Sequence, residues 1–160
     1  MQPGTKILLA AWMTVGSVSP QAVAASDWRH VGTAEDGELQ FVDIETMISI
    51  PPSVKFWVYG IASPSNKTVK SWKLRVTINC SSKMQSPGAM IFYNKDGTIE
   101  NDGANLIKFR EIIPDSMGQA QMRFACSLPA YRSQTYPRLS VSPEEYAASA
   151  QTYLESTPPK

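Results

Sequence analysis

Histidine occurs once in this 160-residue chain, at His30, and cysteine twice, at Cys80 and Cys126. One histidine cannot build a multi-histidine metal site. A Ser-His-Asp set remains formally open, but no serine lies in a Gly-x-Ser-x-Gly elbow of the kind that presents a nucleophile. His30 follows Trp28-Arg29 and reads more simply as a packing or surface residue. Two cysteines with no Cys-x-x-Cys exclude disulfide exchange of the thioredoxin kind. Charge of one sign is also missing. Fifteen Lys and Arg against fourteen Asp and Glu leave a net charge of +1, and no basic run stands out. That balance argues against a nucleic-acid surface. Neither an enzyme nor a cofactor or metal protein is expected.

Long apolar runs are absent as well. The longest begins at Ile7, ends at Val18 and is interrupted by Thr14, Gly16 and Ser17. It is about 12 residues, where a spanning helix needs roughly 20. With Lys6 before it and Ala22-Val23-Ala24-Ala25 after it, the segment has the three parts of a secretory signal peptide. Residues 1–25 are therefore expected to be a signal peptide, with no transmembrane anchor once it is removed. No cysteine follows the apolar run to accept a lipid. The remaining chain, about 135 residues, is long enough for one domain with a real core. Two cysteines in an exported chain most simply pair, Cys80 with Cys126; the alternative is two separate buried thiols. Closing a loop of about 45 residues would stabilise the fold by ~4 kcal/mol in the chain-entropy model.

What is present is strand pattern. Trp72, Leu74, Val76, Ile78 and Cys80 alternate with Ser71, Lys73, Arg75, Thr77 and Asn79, which predicts a strand with one buried and one wet face. Before it, Trp28 to Gly32, the Asp36-Gly37 turn and Leu39 to Asp43 form a first hairpin. Met47 to Ile50 is a brief apolar run stopped by Pro51-Pro52. Val54 to Ile61 is β-branched and aromatic, with Val54, Phe56 and Val58 on one face and Trp57, Tyr59 and Ile61 on the other. Two apolar faces place it centrally or under cover on both sides. The second face invites a helix, another subunit or a ligand.

Downstream, Ser86-Pro87-Gly88 reads as a turn, Ala89 to Tyr93 as a strand, Asn94 to Gly97 as a strong turn and Thr98 to Glu100 as the returning arm. Asn101-Asp102-Gly103 reads as another turn, and Leu106 to Ile113 as an edge strand. The period then changes. Ser116 and Gln119 suggest a capping box, with Met117, Ala120 and Phe124 on one helical stripe and Cys126 just past its end. From Ser127 the chain reads as an irregular linker. Ser142-Pro143-Glu144-Glu145 then opens a second helix, with Tyr146, Ala150, Tyr153 and Leu154 on its apolar side.

Three chemical motifs fall to simpler readings. Asn94 to Glu100 has glycine at the fourth position, where a calcium loop of the EF-hand type needs it at the sixth. Asn66-Lys67-Thr68 and Asn79-Cys80-Ser81 match the glycosylation sequon by chance. The pairs Glu35-Asp36 and Glu144-Glu145 suit a turn and a helix start.

The order of these segments resembles the surface-adhesin protein E family of small exported bacterial proteins. The matching pieces are Trp28-x-x-Val31-Gly32, Gly37-x-x-x-Phe41-Val42-Asp43, Val54 to Val58, Ser71 to Cys80, Tyr93 to Gly97, Ile113 to Ala120 and Phe124-Ala125-Cys126. The resemblance covers about residues 28 to 126. It implies an α+β fold: an antiparallel sheet, here of about six strands, with a helix packed on one face and a disulfide linking sheet to helix region. Its founding type is an outer-membrane adhesin that binds host matrix and serum proteins and can form dimers. This chain departs from that type in lacking a lipidation cysteine and in carrying the extension from Ser127.

The expected organisation is a signal peptide at 1–25, an adhesin E-like domain at 26–127, and a linker with a C-terminal helical extension at 128–160. The expected role is non-enzymatic binding in the periplasm or at the cell surface, with a protein partner of unidentified kind and a homodimer as a further arrangement. The alternative is a periplasmic accessory protein of an envelope assembly. No short motif carries a binding site onto these positions.

Overall fold

The computed structural model describes residues 26–103 and 108–156. The signal-peptide expectation for 1–25 lies outside them, as do Leu106 and Ile107 and the side chains of Tyr153 and Leu154. Eight strands form one antiparallel sheet: β1 (Trp28–Thr33), β2 (Leu39–Asp43), β3 (Ile48–Ile50), β4 (Ser53–Ile61), β5 (Val69–Asn79), β6 (Met84–Asn94), β7 (Ile99–Asp102) and β8 (Arg110–Glu111). The main order is β1-β2-β4-β5-β6-β7, with β3 beside β4 and β8 beside β6. Three helices follow: α1 (Met117–Ala125), α2 (Pro129–Thr135) and α3 (Pro143–Ser156).

Strands β4 and β5 pair along nine positions, from Ser53 with Asn79 to Ile61 with Ser71. Their alternation divides the sheet into two faces. The first buries Val42, Val54, Phe56, Val58, Trp72, Val76 and Ile78 against Phe124 and Ala125 of α1. Ala120 and Met117 lie over Gly32, where an added Cβ would stand 2.7 Å from the Met117 methyl. Gly60 has no side chain because the Trp72 indole occupies that space from the neighbouring strand. Gln40, Gln121 and the Trp72 indole find partners here. Gln121 Nε2 donates to Gln40 Oε1 at 2.8 Å, and Glu38 accepts from both Gln40 and the Trp72 indole. Unpaired, each would carry a desolvation cost. Cys80 and Cys126 are disulfide-bonded with Cα atoms 5.7 Å apart, joining the end of β5 to the cap of α1.

Several local readings need correction. Ser86-Pro87-Gly88 is not a turn but part of β6, which passes through a register shift opposite Leu74–Val76. Proline and glycine are tolerated in a strand at such a bulge. The turn lies earlier, at Ser81 to Lys83, where the Asn79 side chain accepts from the Ser81 and Ser82 amides and Lys83 takes a positive φ of 55°. Asn101 and Asp102 belong to β7 rather than to a turn. Of the expected edge strand, the described residues hold Arg110–Glu111 in a strand. At α1, Ser116 Oγ accepts from Gln119 N, but the Gln119 side chain reaches Asp115 N instead of completing the reciprocal box at Ser116. The linker after Ser127 contains a helix, α2, opened by Pro129 at its first turn.

The tail is fastened to the sheet. Leu139 N donates to Trp28 O at 3.0 Å, Arg138 bridges to Arg29, and Arg29 Nη1 donates to Tyr136 O at 2.6 Å. The same buried guanidinium grips the Asp27 carboxylate at 2.6 Å. Helix α3 then crosses the second face, placing Ala147, Tyr146 and Ala150 on Leu39, Phe41, Tyr59 and Ile61. Helices therefore lie on both faces, α1 on the first as expected and the C-terminal α3 on the second. Among the described residues no helix is long and apolar enough to cross a membrane.

Candidate binding face

Helix α3 covers only the part of the second face built by β1, β2 and the end of β4. Beyond it no described element covers the face. Strand parity puts Lys55 and Trp57 of β4 on this side with Tyr59. Cross-strand pairing adds Arg75 opposite Trp57 and Lys73 opposite Tyr59. Strand β6 adds Ile91 opposite Lys73 and Tyr93 opposite Ser71. All six of these side chains are half-buried in the sheet surface and none is fully enclosed.

The rim is apolar. Ile48 pairs with Lys55 and is 53% exposed; Ile50, two residues on, is 67% exposed. On the far side Ile99 pairs with Tyr93 and is 65% exposed. The acidic residues of β7 do not offset the cations. Glu100 and Asp102 pair with Phe92 and Met90, which belong to the first face. Lys55, Lys73 and Arg75 make no ion pair among the described residues. The Lys73 ammonium lies 5.7 Å from the Tyr59 ring centre and 6.0 Å from that of Tyr93.

Where the open face meets α3 there is a cleft of about 420 Å³ between Trp28, Tyr59, Lys73, Tyr93 and Pro143. Tyr59 Oη donates to Glu144 Oε1 at 2.6 Å across its end. Burial, and then the neighbouring Glu144 carboxylate, push the Tyr59 phenol up to about 12. Ser142 and Glu145 form a reciprocal capping box at the start of α3, as their spacing predicts.

The remaining sequence candidates fall in separate places. His30 sits under α3, its ring centre 5.4 Å from both Phe41 and Tyr146. Burial lowers its pKa, partly opposed by a backbone hydrogen bond at Gly32. Trp57 belongs to the open half of the second face, whereas Tyr59 and Ile61 lie under α3. Asn94 to Gly97 makes the β6–β7 turn, with Gly97 at φ 87° and Asp96 Oδ1 accepting from Thr98 N. The two sequon asparagines, Asn66 and Asn79, use their side-chain oxygens to cap turns. Asp36 accepts from Glu38 N, a turn role. Among the described residues no cluster of three or more His, Cys, Asp or Glu side chains could hold a metal ion. The open cation-aromatic face was not read from the sequence. Its one signal was the pairing of Lys73 and Arg75 with an aromatic strand, which becomes meaningful only once the register is known.

Comparison with known proteins adds an identity. The family model for surface-adhesin protein E matches residues 28–127. Among solved structures, a crystal structure of protein E from non-typeable Haemophilus influenzae is 14% identical, covers 85% of this chain and 95% of that one, and gives a TM-score of 0.46. Crystal form II of Haemophilus influenzae protein E is 16% identical over 54% of this chain and 79% of that one, with a TM-score of 0.42. A further structure of the same protein is 19% identical over 54% and 77%, with a TM-score of 0.39. No match was found among curated proteins.

Proposed function

This chain belongs to the surface-adhesin protein E family, and from that premise we propose that it binds host matrix or serum proteins. Membership carries the coarser statement by itself: an exported, adhesin-like bacterial protein of the periplasm or cell surface, and not an enzyme. The observation that supports the finer one is the open sheet face, where Trp57, Tyr93 and exposed isoleucines share a surface with cations that make no ion pair among the described residues. Aromatic and Arg side chains of this kind dominate protein–protein hot spots. The test is protease shaving of intact cells, with lysed cells as control, followed by binding of the purified protein to a panel of immobilised matrix and serum proteins. Cleavage on intact cells and saturable, salt-sensitive binding are expected.

One observation favours a second reading. The Cys80–Cys126 disulfide is a bond that forms in an oxidising compartment such as the periplasm. Protection from protease until lysis, with no binding to the panel, would place the protein in the periplasm as an accessory of an envelope assembly. Sedimentation of the purified chain tests the homodimer that the family's founding type suggests.

A further inference from the structure

We propose that the open half of the second sheet face docks a polypeptide segment in which acidic and apolar side chains alternate. The inference rests on the reading of this protein as a protein-binding adhesin and names the site and the chemistry of the partner. Lys73 and Arg75 lie two residues apart on β5, hence about 6.8 Å apart along the strand. An extended segment repeats its same-side residues at that interval. Trp57 stands beside Arg75 on β4, and Ile91 beside Lys73 on β6. The surface therefore offers cation and apolar group side by side, one strand spacing apart, on neighbouring strands. Gly88 contributes by omission. A Cβ there would meet the Arg75 carbonyl at 3.3 Å and its Cβ at 3.5 Å, so the guanidinium stem is uncrowded on the β6 side.

Charge decides among occupants. Among the described residues the three cations of this face have no ion pair, and the Glu144 carboxylate at the cleft already accepts from Tyr59. A second copy related by a two-fold axis would set this patch against itself, like charge to like charge. A sulfated glycan or an anionic membrane would meet the cations but leave Trp57, Ile91 and the exposed rim isoleucines without apolar partners. An acidic polypeptide with apolar residues satisfies both.

The test uses the protein purified after export and a fluorescent twelve-residue peptide of alternating Glu and Leu or Val, read by anisotropy at two salt concentrations. Heparin and phosphatidylglycerol vesicles serve as comparators. The peptide should bind more tightly than either, and more weakly as salt rises. Lys73→Glu with Arg75→Glu should weaken it by roughly tenfold or more. Lys67→Glu with Arg123→Glu, the same charge change at exposed positions elsewhere, should leave it within about twofold. Lys73→Gln with Arg75→Gln replaces the reversal variant if that one does not fold, and should show the same direction of change.

Equal loss in both charge pairs would overturn the site, because the attraction would then belong to the whole surface. Preferred binding of heparin or vesicles would overturn the partner class, as would a dimer that the Lys73 and Arg75 variant converts to monomer. Failure of this inference is separable from failure of the host-protein reading. Matrix-protein binding unchanged in the Lys73 and Arg75 variant removes the face and leaves the adhesin function. Peptide binding without any matrix-protein binding does the reverse.

Discussion

The first and second faces of this sheet use the same strands and reach different ends. On the first, β-branched and aromatic residues of β2, β4 and β5 meet α1, which is tied in place by a disulfide and by the Gln40–Gln121 hydrogen bond. On the second, a helix from outside the family's matched region covers half the surface and leaves the other half to solvent. The closed face is held by shape and covalent linkage. The half-open face keeps half-buried apolar groups beside cations that make no ion pair among the described residues, which is how a stable scaffold can present a sticky surface.

Changing one tryptophan on each face tests that difference most severely. Trp72→Asp puts a charge beneath α1 and should yield no soluble folded protein. Trp57→Asp, on the open face, should remain soluble and cost only about 1 kcal/mol in urea denaturation. Similar behaviour of the two variants would erase the distinction between the faces. Next in size is the staple. Cys80→Ser with Cys126→Ser opens a loop of sequence separation 46 and should lower stability by roughly 4 kcal/mol; a change under about 1 kcal/mol would mean that packing alone positions α1.

Ending the chain after Ser140 removes α3 but keeps the bridge at Arg138. The remainder should stay folded, lose roughly 2–4 kcal/mol, and bind an apolar dye at the uncovered Phe41, Tyr59 and Ile61. An unfolded product would make α3 part of the core rather than a cover. Tyr59→Phe deletes the hydrogen bond to Glu144 and should cost about 1 kcal/mol, at the low end because the glutamate is solvated. It should also flatten the alkaline limb of stability. The folded protein holds the Tyr59 proton beyond its ordinary value of 10, so wild type loses that contribution as pH rises from 10 to about 12.

The smallest effect belongs to His30. Its folded pKa lies below 6.5, so the unfolded chain takes up the proton first and stability falls as pH drops below 6.5. His30→Asn should reduce the difference in urea midpoint between pH 7.5 and pH 5; an unchanged difference would assign the acid sensitivity to carboxylates.

Local chemistry made much of the fold legible. The Asp36-Gly37 and Asn94 to Gly97 turns, the period-two runs of β4 and β5, and the Ser142–Glu145 cap each state their structure within a few residues, because sterics and neighbouring hydrogen bonds decide them. Errors arose where long-range pairing overrode a local signal. Pro87-Gly88 has the composition of a turn, yet β5 on one side holds it in a bulged strand. Ser71 belongs to the face predicted to be wet but is only 4% exposed, at the cleft that the start of α3 also lines.

By itself, the sequence determined antiparallel strands and capped helices, since alternation and capping are properties of short segments; the Cys80–Cys126 pairing was expected from the export signal, and the α+β packing of a helix on the sheet from the family resemblance. Only the tertiary structure decided that α2 exists, that α3 folds back over Phe41 and Tyr59, and that Trp57, Lys73, Arg75 and Tyr93 share one uncovered surface. Those facts depend on strand register and on where a distant helix docks. Both are set by summed packing across the whole sheet rather than by any stretch of chain that carries the residues.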